Sequence, residues 1–278
     1  MPSKIITICI AEIFFTFQLN DLKMAKKILY RYKYFISNIS GRNFMVRCIF
    51  SKKPFDSFNK KISLEQNKNH WHAKRYDFEL LWNSKNGIAK LFPSIYSFDA
   101  ILRILLANRL MLKNGVLVHG ASLVKNNNAF SFLGPSGSGK TTICKIAHSD
   151  IILSDEITAI KINKKIQKAF VYSTPFWGEM KKGNSPNKSF RLEYLFFIKK
   201  NKSLKLLPIS FNDAILNFLK CVCIFGNNIK EIKRAFQIST KILLSVNYAK
   251  LYFPKSKLDW KTIFNFSKYG TIKQKNVS

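Results

Sequence analysis

The run Gly134-Pro135-Ser136-Gly137-Ser138-Gly139-Lys140-Thr141 satisfies the pattern GxxxxGK[ST] in full. Its glycines let successive backbone N–H groups turn inward around phosphate oxygens, where side chains would obstruct them. Lys140 supplies a mobile point charge for β- and γ-phosphates, the Thr141 hydroxyl suits Mg²⁺, and Thr142 extends the cradle. An apolar strand enters this phosphate loop. A short helix leaves it with Ile143, Ile146 and Ala147 on its buried face and its positive end toward the same anion. The chemistry this points to is binding of ATP with magnesium.

A carboxylate pair follows quickly, Asp155 lying 15 residues after Lys140. That distance suffices for one short helix and one strand, which returns Asp155 and Glu156 beside the phosphates. One acid can hold Mg²⁺ while the other accepts the proton of an attacking hydroxyl, although neighbouring strand side chains diverge. Transporter ATPases share GPSGSGKT, but they add a glutamine loop, an LSGGQ-type signature and a distant acidic strand end. None of these occurs in the chain. His119 lies on the strand before the loop. By pattern it is equally a hydrogen-bonded core residue or a group placed to relay a proton near the γ-phosphate.

The elements that must position these groups are readable around the loop. Residues 115–124 and 129–133 read as strands joined by the polar turn 125–128, too short for a crossover, so they pair antiparallel. Residues 151–153 form a buried strand, 157–162 and 166–172 two more about the turn 163–165, and 192–199 another. Residues 100–113 read as a largely buried helix beside the nucleotide-binding core, with Ser97 and Asp99 as N-caps and Asn114-Gly115 as its stop. The remainder is mainly helical after Asn212, near 229–244 and near Trp260, with a strand at 246–253. Upstream, 77–82 is strand-like and Asn86-Gly87 signals a turn. Residues 24–69 are basic and aromatic without a period, so two regions are expected, 1–75 and 76–278.

Composition bounds the rest. Lys+Arg 47 against Asp+Glu 15 gives a net charge of +32, which attracts anions of any kind. The basic residues are spread through the chain with no arginine-rich arm, so compositional drift is preferred to a dedicated nucleic-acid site. Five cysteines with no CxxC spacing indicate neither zinc nor disulfides and fit a reducing cytoplasm; Cys221 and Cys223 read as core. The apolar segment 5–17 is interrupted by Glu12 and shorter than the roughly 20 residues of a membrane span. It reads as a buried first element, or as an extension upstream of a start at Met24. His70, Trp71 and His72 read as an exposed or edge feature without a metal.

Together these residues resemble the HPr kinase/phosphorylase group, whose P-loop fold is shared with phosphoenolpyruvate carboxykinases. His119-Gly120, a hairpin, the loop at Gly134, a helix and Asp155-Glu156 follow that group's order. The likeness extends to Thr174-Pro175-Phe176-Trp177-Gly178-Glu179, to Leu195-Phe196-Phe197-Ile198 and to Leu207-Pro208-Ile209-Ser210. These strings look like the HPr-kinase-related proteins found beside modified-peptide genes. It covers about residues 82–260. Pro135 and Glu156 depart from the Asp that the group carries at both positions, and the later signature of phosphorylase activity is missing.

The resemblance implies an α/β, PEP carboxykinase-like P-loop fold with a mixed, partly antiparallel sheet and a mainly helical C-terminal part at 211–278. It implies a cytoplasmic, ATP- and Mg²⁺-dependent kinase that phosphorylates serine on a protein or peptide, in a group whose members are commonly homo-oligomers. Asp155 and His119 become proton-transfer residues beside Lys140. Thr141 and Glu156 become magnesium ligands. Thr174, Trp177 and Glu179 become a substrate loop, with Phe176 and Trp177 as a lip and a structural turn as the alternative. The substituted Pro135 and Glu156 leave room for a nucleotide-binding regulatory module without phosphotransfer.

Overall fold

A computed structural model of the protein describes residues 3–39, 44–52, 61–180, 187–226 and 228–269. The fold is mixed α/β, with one mixed sheet in each of two compact units. The first unit holds residues 1–113 and 224–234, the second 114–223 and 235–278. The division thus falls at 113/114, not at the expected 75/76, because the strands on both sides of residue 76 belong to one sheet. Among the described residues no helix is long and apolar enough to cross a membrane.

The first unit is a seven-stranded sheet of β1 (Lys4–Ile10), β2 (Ile13–Leu19), β3 (Phe44–Phe50), β4 (Ser63–Asn67), β5 (His70–Arg75), β6 (Phe78–Trp82) and β7 (Asn86–Leu91), in the order β1-β2-β3-β7-β6-β5-β4. The apolar segment at 5–17 is therefore a hairpin, turning at Ala11 and Glu12, whose positive φ values suit a two-residue turn. Strand β3 pairs parallel with β2 and β7, and the other pairings are antiparallel. Helix α1 (Leu22–Arg31) starts at Asp21, whose carboxylate accepts the Met24 N–H, and buries Met24, Ala25 and Ile28.

Helix α2 (Ile95–Leu112) packs on α1, β2, β6 and β7 of this unit, whereas the sequence pattern set it beside the nucleotide-binding core. Its N-cap is Ser94, not Ser97 or Asp99. Those two are buried within it: Ser97 Oγ donates to Asp77, and Asp99 accepts from Tyr32 and Arg31. Trp71 stacks on Trp82 and donates to Glu231, and His72 bonds Glu79, so this segment is an inner strand rather than an edge.

The second unit positions the phosphate loop. Its strands are β8 (Gly115–Lys125), β9 (Asn128–Leu133), β10 (Ile151–Ser154), β11 (Ile157–Asn163), β12 (Lys168–Tyr172), β13 (Ser189–Lys200), β14 (Lys205–Leu207) and β15 (Asn247–Phe253). The expected hairpin forms, with Asn126 and Asn127 both at positive φ in a turn that Asn tolerates. Strand β8 changes partners midway. Up to His119 it pairs with β11, and beyond it with both β9 and β10. Because β9 also pairs with β13, β13 with β12, and β12 with β11, the pairings close into a ring of five strands. Gly120 marks the change: a Cβ there would meet Leu133 Cδ2 at 2.3 Å.

Helix α3 (Lys140–Ile146) covers one face, above a core of Phe130, Phe132, Tyr194, Phe196, Leu251 and Phe253. Ile143 and Ala147 are buried and Ile146 partly so, as the pattern required. The chain continues through α4 (Phe211–Leu219), α5 (Ile229–Ser245), which runs across the division between the units, and α6 (Trp260–Tyr269). Trp260 donates to the Ala147 carbonyl and fixes the end of α3.

Candidate active site at the phosphate loop

The loop follows β9 directly, and its glycines are set by space as well as by φ. Gly137 and Gly139 adopt φ of +80° and +105°, which side chains rarely tolerate. A Cβ at Gly134 would meet Ser138 Oγ at 2.6 Å, and one at Gly139 would meet Phe253 Cζ at 2.6 Å. The Ser138 hydroxyl is buried and has no hydrogen-bond partner among the described residues. Lys140 Nζ donates to the carbonyls of Gly134 and Pro135, both at 2.9 Å, which draws the ammonium over the leading end of the loop. Burial lowers the Lys140 pKa below the ordinary lysine value, against the opposing pull of Cys221 and Glu156.

A cavity of about 610 Å³ opens above the loop. Gly134, Pro135, Ser136, Gly137, Gly139, Lys140, Thr141 and Thr142 form one wall, and His119, Asp155 and Glu156 stand in another. The topology explains the meeting. Strand β10 ends at Ser154 and β11 begins at Ile157, so the two acids sit in the bend between strands that both pair with β8. His119 lies directly across from Ile157, and the Gly120 N–H donates to the Glu156 carbonyl at 2.9 Å. The His119 N–H donates to the Cys221 carbonyl, so the partner-switch point of β8 is held on both sides.

The two carboxylates differ. Asp155 is buried, with Oδ1 accepting from the Gly178 N–H at 2.8 Å and Oδ2 from the Met180 N–H at 3.2 Å. Glu156 is half-buried and close enough to Lys140 for its charge to offset part of the fall in the lysine's pKa. Among the described residues no cluster of three or more His, Cys, Asp or Glu could hold a metal by protein ligands alone. A hydroxyl and a carboxylate, Thr141 and Glu156, do line the cavity together. That sparse oxygen set suits Mg²⁺, which binds through one or two carboxylates and substrate phosphates while keeping water.

The segment expected to line the site contributes only in part. Thr174 is buried, donating to the Ile157 carbonyl and accepting from the Phe176 N–H. Phe176 is fully buried, and Trp177, half-buried, is not among the described residues that line the cavity. Gly178 and Glu179 do reach it, Glu179 in an exposed ion pair with Lys145 at 3.1 Å. The sequence reading missed Lys200 and Lys220, which also line the cavity. One ends β13 and the other follows α4, and no motif marks either. Cys221 and Cys223 are buried thiols, as expected, and burial raises the Cys221 pKa.

No protein-family model matches this chain, and no curated protein matches it in sequence.

Proposed function

We propose that the protein is an ATP- and Mg²⁺-dependent kinase with a PEP carboxykinase-like P-loop fold, transferring the γ-phosphoryl group to a serine hydroxyl of a protein or peptide. The observation that carries this reading is the convergence of a complete phosphate loop with His119, Asp155 and Glu156 in one cavity. The loop amides and Lys140 would bind the triphosphate, with Lys200 and Lys220 adding positive charge around it. Thr141 and Glu156 would hold Mg²⁺, which supplies charge neutralisation between the β- and γ-phosphates.

In this reading the acceptor oxygen bonds to the γ-phosphorus as the bond from that phosphorus to the β–γ bridging oxygen breaks, and ADP leaves. The hydroxyl proton passes to Asp155. Two amide hydrogen bonds hold the Asp155 carboxylate in place, and His119, on the paired strand in the same cavity, assists.

Incubation with γ-labelled ATP and cellular peptides should yield acid-stable phosphoserine with the wild type and none with Asp155→Asn. A second reading, a nucleotide-binding regulatory module, is favoured by the same amide clamp, which gives Asp155 a structural duty. Tight Mg·ATP binding with no transfer to any peptide would establish that reading and exclude the kinase.

A further inference from the structure

A second cavity, of about 320 Å³, adjoins the first and shares Gly134, Pro135 and Lys220 with it. It is bordered by β13 and β15 side chains that alternate away from the core beneath α3, with Ile198 bordering both. Along β13, Tyr194, Phe196 and Ile198 enter the core beneath α3, so strand alternation turns Phe197 and Lys199 the other way. Along β15, Ala249, Leu251 and Phe253 enter the same core, which leaves Lys250 and Tyr252 beside Phe197. Asn217 and Lys220, at the end of α4, complete the wall. The floor is apolar and aromatic. The charged groups lining it are Lys199, Lys220 and Lys250, with no carboxylate among the described lining residues.

The two ends of the phosphate loop are not equivalent. Lys140, whose ammonium serves the β- and γ-phosphates, reaches the carbonyls of Gly134 and Pro135, and those two residues wall the second cavity. Thr142, at the opposite end, lines only the first cavity. The second cavity therefore adjoins the end from which a γ-phosphoryl group would depart, where an acceptor must approach. A nucleoside belongs at the other end.

We propose that this cavity receives the residues flanking the acceptor hydroxyl of an acidic peptide. One apolar side chain rests on Phe197 and Tyr252, and neighbouring carboxylates meet Lys199 and Lys250. The proposal rests on the kinase reading for its orientation, but it is tested by binding alone.

The probes are a fluorescein-labelled Glu-Glu-Phe-Ser-Glu-Glu peptide and its counterpart with Lys at every Glu, followed by anisotropy with Mg²⁺ and a non-hydrolysable ATP analogue at about 0.15 M salt. The wild type should bind the acidic peptide about tenfold or more tightly than the basic one. Lys199→Glu/Lys250→Glu should abolish or reverse that preference while Mg·ATP affinity by calorimetry stays within about twofold. Lys199→Ala/Lys250→Ala, milder on the fold, should weaken the preference without reversing it.

Equal binding of the two peptides, or an acidic preference that survives both double variants, would overturn the proposal. So would a loss of Mg·ATP affinity of about tenfold or more, which would make the cavity the seat of the nucleobase. Absence of phosphate transfer with the peptide preference intact would defeat the kinase reading alone.

Discussion

Gly178 donates its backbone N–H to Asp155 Oδ1 at 2.8 Å, and its lack of a side chain permits the approach, since a Cβ there would meet Oδ2 at 3.1 Å. The carboxylate is thereby both a wall of the cavity at the loop and the anchor of residues 178–180. These duties separate by mutation.

Asp155→Asn keeps one acceptor oxygen but turns an amide NH₂ toward the second N–H, so the anchor is half lost. Phosphate transfer should fall by about 10²-fold or more, the scale of a missing general base, while Mg·ATP affinity remains near that of the wild type. Limited proteolysis after Gly178 should accelerate. Transfer at the wild-type rate would remove Asp155 from the chemistry.

Lys140 gives a pH dependence of defined sign. Only the ammonium attracts phosphate, and burial moves its pKa down, so deprotonation begins at lower pH than for a free lysine, whose value is about 10.4. Mg·ATP affinity measured by calorimetry should fall on the alkaline side before that value is reached. Lys140→Arg, which stays charged, should flatten the profile even where its absolute affinity is lower. An unchanged alkaline profile in that variant would refute the assignment.

Two glycines of the loop should differ in their tolerance of alanine. At Gly137 a Cβ meets nothing within 4 Å, so the cost is backbone strain alone, about 1–2 kcal/mol. At Gly139 the strain is joined by a collision with Phe253 and Lys200, which adds about 1–3 kcal/mol. Thermal unfolding should rank Gly139→Ala below Gly137→Ala, and the reverse order would contradict the packing described.

Asp77 provides an acid-side test in the first unit. Burial alone would raise its pKa, but the paired bonds from Arg75, at 2.6 and 2.8 Å, and the bond from Ser97 outweigh it and hold the carboxyl below its ordinary value. A folded-state pKa below the unfolded one contributes stability above the unfolded value, about 3.9, and that contribution disappears as pH falls through the folded value. Asp77→Asn should cost about 3 kcal/mol at neutral pH by leaving Arg75 without its partner. Its penalty in urea unfolding should shrink toward pH 3, and a penalty independent of pH would exclude the ion pair as its cause.

What could be read in the sequence was what neighbouring residues decide among themselves. The Asn126-Asn127 turn, the apolar strand leading into Gly134 and the short path from Lys140 to Asp155 are local, and each appears in the structure. Lys200 and Lys220 reach the cavity only because β13 pairs with β9 and α4 ends nearby, and a lone lysine in a chain of +32 carries no signal of such placement. The first unit hid for a related reason. Its β3 is paired in parallel with two strands from distant parts of the sequence, and β4 and β5 are largely polar. Ser97 and Asp99 look like caps by type, yet both are committed to buried partners while Ser94 takes the helix end.

The ring of strands has a consequence for the order in which the protein is made. The hairpin of β8 and β9 closes between adjacent segments, whereas the pairing of β9 with β13 must wait for everything between them and bears the larger loop-closure entropy. A nascent chain still on the ribosome thus possesses the octapeptide from Gly134 to Thr141 well before it possesses the frame that orients it. The loop acquires its full frame only with the emergence of β13 and then of β15, which brings Phe253 against Gly139.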